Sequence, residues 1–305
     1  MTILFLSHSD CEKHIMLPHH PESPARLSAI HQALTGSSWD TKLSRQQAGE
    51  IRDDYFHGIH PNHYLHMLAE LKPGDGVVQI DPDTSLNQHS LRAAKLAAGA
   101  GLQGVEALMA GEHQSAFCAV RPPGHHAEAA IGMGFCIFNN IALAAERALS
   151  LGAERIAILD FDVHHGNGTV DIFQNRPEVL VCSSFQYPFY PDRYSDIDRP
   201  NIILTPLPQA TASSSFRSAI ERDWLPALVD HRPDIILVSA GFDAHREDPL
   251  GGLLLEDSDY AWLGQLLRDQ AQTLCKGRLL SMLEGGYNTD ALARSVQQYL
   301  RAQTE

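Results

Sequence analysis

Basic residues are in short supply in this chain. Lys and Arg number 23 against 37 Asp and Glu in 305 residues, a formal net charge of −14. A protein that tracks a phosphate backbone needs the opposite balance, so nucleic acid is excluded as the main partner, while a cationic substrate is compatible. Cysteine is sparse: Cys11, Cys118, Cys136, Cys182 and Cys275 are odd in number, scattered, and form no CxxC. They read as buried thiols in a reducing compartment. No apolar run approaches the length of a membrane span, so no membrane partner is expected. The first residues, MTILFLSHSD, carry no basic region and too short an apolar run for a secretory leader, so a cytoplasmic location is expected. There is no linker, repeat or low-complexity segment, and one domain over residues 1–305 is expected.

What is present is a set of apolar strands that break into polar clusters. Ile156 to Leu159 reads as a buried strand and runs into Asp160, Asp162, His164 and His165 before closing on Gly166, Asn167 and Gly168. Alternation along a strand starts Asp160, Asp162 and His164 on one side. Two carboxylates and an imidazole are costly to bury there unless something pairs with them. A divalent metal would do so, and a catalytic site needs one more protein ligand plus water. The bland alternative is a satisfied polar cluster at a strand end.

The same punctuation recurs. Ala116 to Val120 runs into Arg121-Pro122-Pro123-Gly124-His125-His126, Asp234 to Ala240 into Gly241-Phe242-Asp243, and Arg278 to Leu283 into Glu284-Gly285-Gly286-Tyr287-Asn288. Further strands are expected at Thr2 to Leu6, Val179 to Ser183 and Asn201 to Leu207. Helices are expected from Pro24 (with Ser23 as N-cap) to Leu34, and over Ile59 to Leu71, Ser90 to Met109, Ile141 to Leu151 (capped by Asn139 or Asn140), Ser213 to Val229, Asp257 to Leu274 and Thr289 to Arg301. Asp81 to Thr84 and the aromatic YPFYP of Tyr187 to Pro191 read as loops. Alternating strands and helices predict an α/β fold with a mostly parallel central sheet flanked by helices on both faces. Ligands bind beyond the carboxyl ends of such strands, so four polar motifs are expected to converge on one edge.

On that edge Asp162, His164 and Asp243 serve as metal ligands, leaving a position for water and a carbonyl oxygen. His125 and His126 are the candidate base and acid, with Asp160 orienting one imidazole and Asn167 the other. Tyr287, on a loop freed by two glycines, is the candidate donor to an oxyanion. The predicted reaction class is metal-assisted hydrolysis of an amide or related acyl bond.

HPESPARL, RPPGHHAE, GMGFCIFNN, DFDVHHGNGT, SAGFDAHREDPLGG and LEGGYN, in this order along most of the chain, resemble the histone deacetylase superfamily, its class II branch most closely. The resemblance implies the arginase/deacetylase fold and zinc-dependent deacylation of an amine. It matches Asp162, His164 and Asp243 to the zinc ligands, His125 and His126 to the tandem histidines with His126 the base, and Tyr287 to the oxyanion tyrosine. Phe135 and Leu250 match tunnel walls, Gly134 offers a carbonyl near the floor, and Arg26 matches an arginine below the active site. Two structural potassium sites are implied, one at Asp160, Asp162, His164 and Ser183, the second at Phe173, Arg176 and Val179. Asn62, in HPNHYL, is carried over as a substrate-binding position where many relatives have an acidic residue. Asn167 stands where class I members have Asp. SSFQYPFYP departs from the family, so the second aromatic wall is unassigned.

The expected substrate is an acetylated lysine in a protein or peptide. Its alternatives are an acetylpolyamine or other acetylated small amine, and a silent module that holds acyl-lysine. A binuclear manganese hydrolase of the arginase type would need a second set of Asp and His ligands that is not found.

Overall fold

A strand buried along its whole length belongs in the middle of a sheet covered on both faces. The computed structural model describes residues 2–36 and 39–304, and five strands of its main sheet are of this kind. In chain order the elements are β1 (Ile3–Ser7), α1 (Ala25–Leu34), β2 (Leu43–Gln47), α2 (Asn62–Glu70), β3 (Val78–Asp81), β4 (Thr84–Leu86), α3 (Ser90–Met109), β5 (Ser115–Cys118) and α4 (Asn140–Ser150). They continue as β6 (Ile156–Asp160), α5 (Asn167–Phe173), β7 (Val179–Gln186), β8 (Ile202–Leu207), α6 (Ser213–His231), β9 (Ile235–Ala240), α7 (Asp257–Cys275), β10 (Leu279–Leu283) and α8 (Thr289–Thr304).

Eight strands form one sheet in the order β2-β1-β5-β10-β9-β6-β7-β8. Every pairing in it is parallel. Helices α3 and α4 pack together on one face, and α1, α8, α7 and α6 form the other layer. This is the α/β architecture expected from the alternation. All five cysteines are buried and free. No helix among the described residues is long and apolar enough to cross a membrane.

The differences from expectation sit where the polarity pattern is weak. Strand β2 (LSRQQ) was not expected. It lies at an edge with only Leu43 buried, so its side chains carry no core signature. Residues 81–84 are the turn of a small antiparallel hairpin, β3–β4, rather than an open loop. Helix α2 starts at Asn62, not Ile59, because the residue before Pro61 is held out of the helical region. Ser23 does not cap α1 with its side chain; its carbonyl accepts from Arg26 N at 3.1 Å and Pro24 takes the cap position. Asn139 caps α4 through Ala142 N at 3.0 Å, and α6 runs on through Pro226.

One buried histidine ties these layers together and carries a pH consequence. His60 Nδ1 lies 2.9 Å from the Ala129 carbonyl, while Nε2 accepts from Asn139 N at 2.9 Å. Protonation would set N–H against N–H at Nε2, and burial holds its pKa down to about 4. In the unfolded chain it titrates near its ordinary value, so between that value and about 4 the unfolded state binds the extra proton and this contribution to stability falls on acidification. His60→Gln is therefore expected to lose less stability than wild type between pH 7 and pH 5, by about 1–2 kcal/mol. Denaturant midpoints at both pH values read this, and equal losses would refute it.

Candidate active site

Strands β5, β10, β9 and β6 are neighbours at the centre of the sheet and point the same way. The four polar motifs that follow them therefore open on one edge, as expected. Asp160 is the last residue of β6. Beyond it the chain leaves the strand, so a turn, not alternation, brings Asp162 and His164 in. Asp162 Oδ1 accepts from His164 N at 2.9 Å and lies 3.0 Å from His164 Nδ1, which is 3.2 Å from Asp243 Oδ2. Ligand atoms from these three residues all lie within 4.8 Å of one another. The backbone pins both carboxylates: Gly285 N donates to Asp162 Oδ2 at 2.8 Å and Val163 N to Asp243 Oδ1 at 2.9 Å. A side chain at Gly285 has no room, since a Cβ there would stand 1.9 Å from Asp243 Oδ2.

These residues fit a divalent cation. One imidazole N–H cannot serve two carboxylates well, and both carboxylates are shut away from water. Burial, and then the charge of Asp162, push Asp243 up to about 7. A cation held by two oxygens and one nitrogen would relieve this, and the mixed donor set suits zinc or ferrous iron.

The tandem histidines stand beside this point with ring centroids 4.0 Å apart. His125 Nδ1 is 2.9 Å from Asp160 Oδ2, and His126 Nδ1 is 2.8 Å from Asn167 Oδ1, the two pairings expected from sequence. Their environments separate them. Burial lowers the pKa of His125, but Asp160, Asp162 and Glu284 outweigh it and leave it well raised. Burial, His125 and His164 all push His126 well down. The two imidazoles are thus pushed in opposite directions, the division of labour an acid–base pair needs. Glu284 lies in the LEGGYN motif with no sequence signal of its role. Its Oε2 accepts from Gly124 N at 2.7 Å and His125 N at 3.2 Å, setting the irregular backbone that lets adjacent histidines enter one cavity.

A cavity of about 420 Å³ leads to the pair, lined by His126, His164, Gly134, Phe135, Leu250 and Tyr287 among others. Gly134 and Phe135 both have positive φ, 56° and 69°. The hairpin turn holds them there: Asp83 Oδ1 accepts from Gly134 N at 3.1 Å and Thr84 Oγ1 from Phe135 N at 2.9 Å. A side chain at Gly134 would meet the His126 ring at 2.4 Å. The wall left unassigned comes from the aromatic loop: Phe189 stacks on His164 at 5.3 Å, and Tyr190 stands edge-on to His126 at 5.3 Å. The YPFYP signal was visible in the sequence, but its partner was not.

Tyr287 lines the cavity, with its ring 5.8 Å from that of Phe135 and the Arg26 guanidinium 5.0 Å away. Asp248 fixes its backbone, accepting from Tyr287 N at 2.6 Å. Arg26 lies beneath the site as the resemblance implied, donating to Gly286 O at 2.6 Å and to Glu22 at 3.1 Å. Asn62 does not line this cavity. It is exposed at the start of α2, on a separate cavity of about 710 Å³ that it shares with His57 and His66. The carboxylate that does reach the catalytic cavity is Asp83.

The two implied potassium positions differ. Pairing of β6 with β7 sets Ser183 beside Asp160 at the first, and the Ser183 hydroxyl lies 2.9 Å from His165 Nδ1. At the second position the amide nitrogen of Asn201 donates to the carbonyls of Phe173, Arg176 and Val179 at 2.8, 3.1 and 2.9 Å. It stands in the space a cation would take, so these residues do not fit a second ion.

Fold and site together define an α/β protein with a buried Asp162–His164–Asp243 cluster that could hold a metal ion, flanked by a tandem histidine pair. Residues 20–303 match the family model described as the histone deacetylase domain, and the chain belongs to that family. It is 36% identical over 277 residues to the histone deacetylase-like amidohydrolase of Pseudomonas aeruginosa, covering 88% of this chain and 73% of that one. It is 34% identical over 291 residues to a probable deacetylase of Archaeoglobus fulgidus, covering 93% and 80%. The crystal structure of the HDA15 HD domain superposes with a TM-score of 0.91 at 30% identity, covering 99% of this chain and 90% of that one.

Proposed function

We propose that the protein is a zinc-dependent deacylase that removes acetyl groups from lysine side chains of peptides or proteins. The observation that carries this is the pair His125 and His126, held by Asp160 and Asn167 beside a buried Asp162–His164–Asp243 cluster at the end of a cavity. Family membership and relatives named as deacetylase and amidohydrolase support it. Zinc held by Asp162, His164 and Asp243 supplies polarisation of the acyl carbonyl and acidification of a water. His126, neutral, accepts a proton at Nε2. His125, kept protonated by Asp160, places a positive charge beside the developing oxyanion, and the leaving amine takes its proton from the pair. Tyr287 donates its hydroxyl to that oxyanion. Phe135, Phe189 and Leu250 line the path of the apolar stem of the acyl-lysine. Asp160, Asp162, His164 and Ser183 would hold a structural potassium ion.

A second reading is favoured by one feature. Asp81 and Asp83 stand together on the hairpin beside the cavity, burial and the neighbouring carboxyl push Asp81 up to about 6, and neither has a Lys or Arg partner among the described residues. An acetylated polyamine would bring them an ammonium. The deciding assay compares an acetyl-lysine peptide with acetylputrescine, using metal-stripped and zinc-restored protein in potassium or potassium-free buffer. Zinc-dependent turnover of the peptide, raised by potassium, is expected. Turnover of the polyamine alone would install the second reading, and turnover of neither with zinc bound would overturn both.

A further inference from the structure

A carboxylate can hold an imidazole with either oxygen, but an amide has only one end that accepts. Asn167 therefore orients His126 correctly only if something fixes which end faces it. Its Oδ1 lies 2.8 Å from His126 Nδ1. With Oδ1 there, Nδ1 carries the hydrogen and Nε2 is bare, the form that can take a proton. Flipped, the amide would present NH₂ to Nδ1 and favour hydrogen on Nε2, which disables the base.

What opposes the flip is Glu128. It is 4% exposed, and its Oε1 accepts from Asn167 Nδ2 at 2.9 Å. The other neighbours of that nitrogen, the His126 carbonyl and the Met133 sulfur, are at 3.4 and 3.5 Å. A flipped amide would set its oxygen against a carboxylate that can only accept. Arg193 makes this buried carboxylate tolerable, donating through Nε at 2.6 Å and Nη2 at 2.8 Å. Arg193 closely follows Phe189 and Tyr190, so the carboxylate that orients the base also anchors the segment forming the second tunnel wall.

We propose that Glu128 is a positioning residue for His126, holding it as the Nε2-bare tautomer through the amide of Asn167. The arrangement moves the negative charge one residue back from the imidazole, where Arg193 balances it, and leaves His126 Nδ1 hydrogen-bonded to a neutral amide. The proposal rests on the deacylase reading for its kinetic consequence, but not for its effect on the tautomer.

The test uses zinc-loaded full-length wild type, Glu128→Ala, Asn167→Asp and Glu128→Gln/Asn167→Asp on an acetyl-lysine peptide. Glu128→Ala is expected to lower kcat about 10–100-fold, with KM within about twofold of wild type. Asn167→Asp alone is expected to be similarly impaired, because it sets two carboxylates within hydrogen-bonding distance. The double variant is expected to recover to within a few-fold of wild type, since a glutamine at 128 can donate to an aspartate at 167. Losses that simply multiply in the double variant, or an unchanged kcat in Glu128→Ala, would overturn the proposal. The tautomer is read independently of turnover by long-range proton–nitrogen correlations of the imidazoles, assigned with His126→Gln. Wild type should show hydrogen on Nδ1 and Glu128→Ala a mixture; identical spectra would also overturn it. If wild type fails to turn over any acetylated amine and the tautomer still shifts in Glu128→Ala, the deacylase reading fails and the role of Glu128 stands.

Discussion

Asp243→Ala is expected to emerge from purification without zinc and without turnover. Its Oδ2 is one of three atoms that converge at the metal point, and it stands on β9's exit loop while the other two come from the turn after β6. Removing it leaves two ligands that are two residues apart, too few and too close in sequence to fill a tetrahedral site. The loss in kcat should be at least about a thousandfold, the scale of several kcal/mol of metal-derived transition-state stabilisation. The effect on stability has an unusual sign. Asp243 is a buried carboxyl beside another, and burial together with Asp162 works against its charge. Without metal, then, the variant should be no less stable than metal-free wild type beyond the lost contacts to Val163 N–H at 2.9 Å and His164 Nδ1 at 3.2 Å. With saturating zinc, only wild type should gain stability. Zinc content by elemental analysis, with denaturant midpoints in zinc and in chelator, tests both halves. Stoichiometric zinc in the variant would remove Asp243 from the ligand set.

The contrast between β6 and β2 shows what makes a sequence legible. Ile156–Asp160 is apolar until it turns abruptly charged, and that break announces both a central strand and a site at its end. Edge strand β2 buries one side chain and needs no pattern, so nothing in LSRQQ betrays it. Site residues that act through their own chemistry follow the same rule. Asp162, His164, His125, His126 and Tyr287 are polar groups in motifs after apolar runs, and the fold brings them together. Residues that act by placement do not. Asp83 reaches the cavity only because a short hairpin folds over Gly134 and Phe135, a contact 51 residues apart in sequence. Asn62 stands in HPNHYL where many relatives have an acidic residue, but the start of α2 sets it on a separate cavity. Asn201 fills the second cation position through a side-chain amide that reaches three carbonyls 22–28 residues away. Such contacts depend on the register of β7 and β8, which composition does not encode.

Tyr287→Phe is the cleanest separation of chemistry from structure that this site offers. The ring is held from both sides without the hydroxyl: its backbone N–H is fixed by Asp248 at 2.6 Å and the Arg26 guanidinium sits 5.0 Å from the ring centroid. Phenylalanine keeps both, and the hydroxyl makes no hydrogen bond to any described residue, so deleting it orphans no protein partner. Stability and zinc content should therefore stay at wild-type values. Burial, and next the charge of Asp243, hold the phenol pKa well above its ordinary value, while Arg26 opposes them more weakly. The group is thus protonated at every working pH and can only donate or accept as a neutral hydroxyl. A donor that meets its acceptor only when negative charge develops lowers kcat when removed and leaves ground-state binding alone. The expected result is a kcat reduced about 100- to 1,000-fold, the scale of losing one oxyanion donor, with KM changed by less than about threefold. An equal rise in KM would instead make Tyr287 a ground-state contact, and unchanged turnover would mean that the oxyanion is stabilised from the histidine side, with the charge on His125 as the remaining source.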